Sequence, residues 1–223
     1  FTNQCVSEYV HREAQSEGIT VFEWLEKRAA RLKPGQSGLL ALDWFNGNRS
    51  ILDDADLSGL IIGCTLSTKP EEIFRALMEA TAFGTRMIID TYRESGLEVN
   101  KLVACGGLPQ NNQLLMQIYA DVTGMEIHVV SSKHTSAFGA AILGSVAAGS
   151  AYGGYDSIME AVRHLSCPRV RKFQPVPEHE EIYNRLYREY KSLHNYLGLA
   201  GNNVMKRLKK IKEQVSSSES NNP

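Results

Sequence analysis

An α/β layer architecture with some parallel strand pairing is predicted by three features of the sequence. Short apolar runs at residues 38–44, 60–64, 102–105 and 127–130 read as buried strands. Longer helical patterns at 67–95 and 113–123 alternate with them. Glycine or proline marks nearly every junction, as at Lys33-Pro34-Gly35, Ser95-Gly96 and Gly124. In such a fold the ligand crevice lies beyond the carboxyl ends of the strands.

Residues 6–16 and 20–32 predict two amphipathic helices flanking Gly18. Thr20 is placed to cap the second, with Glu23 at the capping-box position. The strand at 38–44 leads into a polar loop, and the run at 60–64 follows. The strongest helix opens at Ser67-Thr68-Lys69-Pro70, where proline suits the first turn. Ile73, Leu77, Ala80, Gly84, Met87, Ile88 and Thr91 fall on one face of it. Gly84 costs about 1 kcal/mol inside a helix, a cost that a close contact with a neighbouring layer would explain. After the strand at 102–105 comes a helix at 113–123, then the strand at 127–130. Helices follow at 136–148 and 157–165, and a long one opens at Pro177 through Ile182, Leu186, Tyr190, Leu193 and Leu197. The stretch 206–220 is basic and then serine-rich, which predicts a short helix fraying into a disordered tail.

The 24 basic and 25 acidic side chains leave a formal net charge of −1 over 223 residues. That balance gives no electrostatic footing for nucleic acid or an anionic membrane. No apolar run approaches the ~20 residues a membrane helix needs, and the first residues form no signal peptide. Residue 1 is Phe, which hints at a piece of a longer chain. Cys5, Cys64, Cys105 and Cys167 show no metal-clip spacing, so they read as reduced thiols of a cytoplasmic protein.

The chemistry-bearing stretch is Cys105-Gly106-Gly107-Leu108-Pro109-Gln110-Asn111-Asn112. A strand ends in two glycines, and glycines let a backbone approach a ligand without a Cβ clash. A helix start offers free N–H groups and a positive dipole end, which suit phosphate. Asn111 adds a side chain that donates and accepts. On local pattern alone an ordinary strand-to-helix turn stays the simpler reading, since the stretch matches neither GxxxxGK[ST] nor GxGxxG.

With Leu114-Leu115-Met116-Gln117 and Ala120-Asp121, that stretch resembles the adenosine-binding motif of the FGGY carbohydrate kinases, members of the actin-like ATPase superfamily. Residues 59–63, followed by Glu72 to Glu79, resemble the second family signature, with Cys64 and Leu77 as departures. Its glycines and A-x-x-E read as scaffold more than chemistry. Ala41-Leu42-Asp43-Trp44-Phe45-Asn46-Gly47-Asn48-Arg49-Ser50 is similar to the ribulokinase form of a loop that other members write as G-x-R-x-P. Gly47 and Arg49 match that core. Arg49 would offer a forked donor to phosphate or hold the loop by its carbonyls. Thr135-Ser136-Ala137-Phe138-Gly139-Ala140-Ala141 resembles the late small-residue helix of the family.

The resemblance covers residues 1–198 and implies an actin-like (ribonuclease H-like) domain with a mixed sheet and flanking helices, incomplete in this chain. It implies ATP and Mg²⁺ as cofactors, with Gly106 and Gly107 against the nucleotide, Asn111 at the adenine and Gln110 in the same turn. It implies a ketopentose substrate, L-ribulose, converted to L-ribulose 5-phosphate, with xylulose or glycerol as other acceptors in the family. It also implies an N-terminal domain of the same protein as partner, and it allows a homo-oligomer. No catalytic base and no metal ligand is assigned here. Asp53, Asp54 and Asp56 read as a solvated acidic loop. Alone, the chain is expected to bind nucleotide with little turnover and to expose an unpaired sheet edge. A non-enzymatic α/β interaction domain is the rival reading, with residues 199–223 a tail in either case.

Overall fold

The computed structural model describes residues 6–131, 134–165, 170–199 and 201–219. Cys5 and Cys167 lie outside them, as do residues 220–223 of the expected tail. Cys64 and Cys105 are free, exposed thiols.

Two short helices open the chain, α1 (Glu8–Ser16) and α2 (Val21–Ala29). The expected cap forms at α2. The Thr20 hydroxyl accepts from the Glu23 N–H at 3.2 Å, and the Glu23 carboxylate accepts the Thr20 N–H at 2.8 Å. Strands β1 (Leu40–Leu42) and β2 (Leu60–Ile62) pair antiparallel, with Leu40 opposite Ile62. All of β1 is buried.

Helix α3 (Pro70–Glu94) is the hub. It packs against α2, β1 and two later helices, α5 (Gln113–Thr123) and α8 (Pro177–Gly198). Neighbours on several sides bury more of it than one stripe. Phe74, Met78, Ala82 and Phe83 join Ala80 and Met87 in the core, while Ile73, Leu77, Gly84 and Ile88 are only half-buried and Thr91 is exposed. The single-faced expectation is corrected accordingly.

A second sheet holds β3 (Leu102–Ala104), β4 (Ile127–Val130) and β5 (Val170–Phe173), in that order. The β3–β4 pair is parallel, as expected, and β4–β5 is antiparallel, so the sheet is mixed. Strand β5 has no counterpart in the sequence reading. The expectation of a buried strand at 102–105 fails at Val103, 56% exposed on the sheet's outer strand. A five-residue helix, α4 (Gly107–Asn111), stands between β3 and α5. Beyond β4 come α6 (Thr135–Ala148) and α7 (Ile158–Leu165).

Helix α8 buries Tyr183, Tyr187, Tyr190 and His194, a seam offset from the expected aliphatic stripe; Ile182, Leu186, Leu193 and Leu197 flank it half-buried. The polar tips find partners. Tyr183 donates to Glu79 at 3.0 Å, Tyr187 to Asp90 at 2.7 Å and Tyr190 to Asp43 at 3.3 Å. Helix α9 (Val204–Glu219) follows; its Met205 reaches the core and its Lys206 pairs with Asp54 at 2.5 Å.

Candidate functional site

The two glycines stand where β3 ends. Gly106 has φ +97°, a conformation that L side chains rarely adopt, and it turns the chain into α4. A Cβ added at Gly106 or at Gly107 would meet no atom within 4 Å. Packing against this chain therefore does not require glycine at 107. The open space is what close approach of a ligand to the backbone needs.

Gln110 anchors the turn rather than facing outward. Its side-chain amide donates to the Val130 carbonyl at 3.1 Å, at the end of β4. Its own carbonyl accepts from Arg171 of β5 at 2.9 Å. Arg171 escaped the sequence reading because its strand did. Asn111 is exposed, on the same short helix as Gly107.

The adjacent Asn112 has a different job. It is 1% exposed and caps α5, accepting the Leu115 N–H at 2.8 Å. That bond gives one N–H of the first turn of α5 to a protein side chain. The Ala120-Asp121 stretch is also scaffold. Asp121 accepts from Val176 N at 2.9 Å and contacts His179 Nδ1 at 2.7 Å, tying the start of α8 to α5.

The second-signature residues form a buried network. Arg75 Nε donates to Glu79 at 2.8 Å, and its other nitrogens reach the Ala29 carbonyl and the Tyr183 hydroxyl, both at 3.0 Å. Burial pushes the Glu79 carboxyl up, with the Arg75 cation opposing the shift.

The loop after β1 turns at Gly47 (φ +75°), where an added Cβ would strike the Ala55 backbone at 2.7 Å. Arg49 is exposed and has neither a hydrogen bond nor an ion pair among the described residues, so it does not tie the loop to its carbonyls. Asp54 and Asp56 are spent on Lys206 and Lys209 of α9. Among the described residues no three His, Cys, Asp or Glu side chains gather as a metal site. The loop walls a cavity of about 360 Å³ together with α3, α5 and α8. Gly106, Gly107, Gln110 and Asn111 do not line it. Gly84 is explained at its edge, since the Tyr190 hydroxyl and the Asp43 carboxylate lie 3.4 and 3.5 Å from where its Cβ would stand.

Against known proteins, residues 3–148 match the C-terminal domain of the FGGY family of carbohydrate kinases. A ribulokinase of Anoxybacillus flavithermus is 61% identical over 96% of this chain and 38% of its own length. A ribulokinase of Geobacillus thermodenitrificans is 59% identical over the same shares. This chain thus spans under two-fifths of the relatives it matches. The crystal structure of a xylulose kinase from Rhodospirillum rubrum aligns with TM-score 0.68 and 28% identity, over 85% of this chain and 37% of that one. The fold is that of the actin-like ATPases, in an α/β arrangement with a mixed sheet. The chain belongs to the FGGY family of carbohydrate kinases, matching its C-terminal domain.

Proposed function

We propose that this chain is the ATP-binding half of a ribulokinase, whose parent protein transfers the γ-phosphoryl group of ATP to L-ribulose to give L-ribulose 5-phosphate. The observation that carries the nucleotide assignment is the open space over Gly106 and Gly107, at the carboxyl end of a parallel strand. The ribulokinase names of relatives 61% and 59% identical support the choice of sugar.

In this reading residues 1–198 form the nucleotide-binding domain and 199–223 a tail. Gly106 turns the backbone, Gly107 lies against the nucleotide, and Gln110 braces the turn between β4 and β5. Asn111 offers its exposed amide to the adenine edge. ATP, bound with Mg²⁺, supplies the phosphoryl group and the charge neutralisation its transfer needs. An N-terminal domain of the same protein supplies the sugar site and the general base, and closure of the two excludes water. The parent works in the cytoplasm; no described helix is long and apolar enough to cross a membrane.

Thermal unfolding with Mg²⁺-ADP tests the nucleotide site. A ligand at a hundredfold excess over its Kd stabilises by about 2.7 kcal/mol. Gly107→Val is the informative variant. The added side chain meets no protein atom close to its Cβ, so the free chain should fold and melt like the parent. Its Mg²⁺-ADP stabilisation should vanish; equal stabilisation in the variant overturns the assignment. An ADP-release assay with L-ribulose, D-xylulose and glycerol, on this chain and on a full-length form, tests the sugar. Turnover is expected with L-ribulose in the full-length form only. Preference for xylulose or glycerol moves the parent to another branch of the family. Absence of both turnover and stabilisation favours an interaction domain.

A further inference from the structure

We infer that Arg171 of β5 is a positioning residue for nucleotide binding: it holds the Gly106–Asn111 turn in the shape that receives the ligand. The inference rests on the nucleotide reading and adds to it a residue from outside the turn.

The strand register shows why an arginine at 171 is informative. Arg171 stands opposite Val129 in the β4–β5 pair, and Phe173 stands opposite Ile127. Opposed residues share a face of the sheet, and each face recurs at every second residue. Ile127 and Val129 are 2% and 1% exposed, so this is the face that the core covers. Phe173 packs against that core. Arg171 points to the same side at the sheet's end, yet it is exposed and charged. Its guanidinium lies 5.8 Å from the centre of the Phe173 ring, at the far limit of a cation–π contact. Burial does not explain a cation there. The stronger contact is with the turn, where Nη2 donates to the Gln110 carbonyl at 2.9 Å.

Residue 110 is thereby held twice. Its side-chain amide donates to the Val130 carbonyl at 3.1 Å, and its own carbonyl takes the Arg171 proton. One tie goes to β4 and the other to β5, so the turn is fastened across the end of the sheet. Gln110 lies in the last turn of α4, where helix carbonyls lack partners within the helix. Asn112 is fixed in turn by the Leu115 N–H. At the other end of the turn, a Cβ at Gly106 or Gly107 would meet no atom within 4 Å. The open side is therefore located by the ties at 110 and 112. A ligand that needs the Gly107 backbone and the Asn111 amide in fixed places binds more tightly when they are braced beforehand, because less freedom is lost on binding. Arg171 acts through Gln110, and this role needs no contact with the nucleotide.

Isothermal titration with Mg²⁺-ADP and with adenosine, on the parent chain, Arg171→Met and Arg171→Lys, is the test. Methionine keeps a long unbranched stem and removes the donor, whereas lysine keeps a donor and the charge. Position 171 is exposed, so both variants should melt like the parent. Arg171→Met should weaken Mg²⁺-ADP and adenosine alike, by ~5-fold or more, and Arg171→Lys should recover most of the loss. Amide hydrogen exchange at residues 107–111 of the free chain should quicken in Arg171→Met, while the buried strand Leu40–Leu42 stays unchanged. With a parent chain that binds, unchanged Mg²⁺-ADP affinity in Arg171→Met overturns this proposal alone. So does a loss confined to Mg²⁺-ADP, which would make Arg171 a charge acting directly on phosphate. Unchanged exchange at 107–111, or no recovery with lysine, overturns it as well. A parent chain that binds neither ligand overturns the nucleotide reading and this inference together, so the two failures are told apart.

Discussion

At His194 the cost of burying a charge is legible in one side chain. Burial holds its imidazole below the ordinary value of 6.5, against a smaller upward pull from Asn195 and with Lys191 adding to the depression. The unfolded chain then binds the proton more readily than the folded one. Stability from this group is complete above pH 6.5 and is lost as pH falls from there toward the folded value. Asp43 acts oppositely: burial raises its pKa above 3.8, so its contribution falls as pH rises through that shifted range. Urea midpoints between pH 7 and pH 5 should therefore drop for the parent chain and drop less for His194→Phe; parallel slopes would remove His194 as the cause. Neither residue was legible in the sequence, because the burial that matters comes from elements over a hundred residues apart. The glycine pair was legible, since a strand running into two glycines is a local signal. Asn111 and Asn112 sit between. Adjacent asparagines look alike in a sequence, and only the cap at Leu115 separates the buried one from the exposed one.

Helices α2, α3 and α8 meet at the Arg75–Glu79–Tyr183 network, where the largest mutational loss is expected. Both charged side chains are nearly inaccessible, at 5% and 3% exposure. Glu79→Ala leaves a buried guanidinium without its counter-ion, a change that costs about 3–5 kcal/mol. Glu79→Gln keeps an acceptor for Arg75 and Tyr183 and should lose less. Urea unfolding followed by circular dichroism measures both; a loss under ~1 kcal/mol for the alanine variant would show that the pair adds little. Such a network also explains why period reading misplaced the buried faces of α3 and α8. Apolar periodicity assumes that polar residues face water, whereas here Arg75, Glu79 and Tyr183 are inside because they satisfy one another. Most elements and their order were legible from proline and glycine punctuation, the short helix α4 and strand β5 excepted. Strand β5 was not, because Val170-Arg171-Lys172-Phe173 carries two cations in four residues and lacks an apolar run.

For the whole molecule, the decisive feature is that its strands form two separate sheets, β1–β2 and β3–β4–β5. Strand β1 pairs only with β2, and β3 only with β4, so each has an edge without a described strand partner. Strand β3 also carries the exposed Val103, and β2 ends at Ile62, 40% exposed. Free edges with apolar side chains template further strand pairing. The ribulokinase relatives are longer, this chain spanning 38% of one of them. Taken alone, the chain should self-associate as concentration rises. Val103→Lys should suppress that, because a lysine on an edge strand must be desolvated when another strand pairs beside it. Val103 is more than half exposed, so the substitution should leave the melting temperature nearly unchanged. Sedimentation velocity across a tenfold concentration range separates the outcomes. A parent chain that shifts to larger species while Val103→Lys stays monomeric places the association at β3. Equal behaviour of the two would direct attention to other apolar surface, such as Leu208, Ile211 and Val215 along α9.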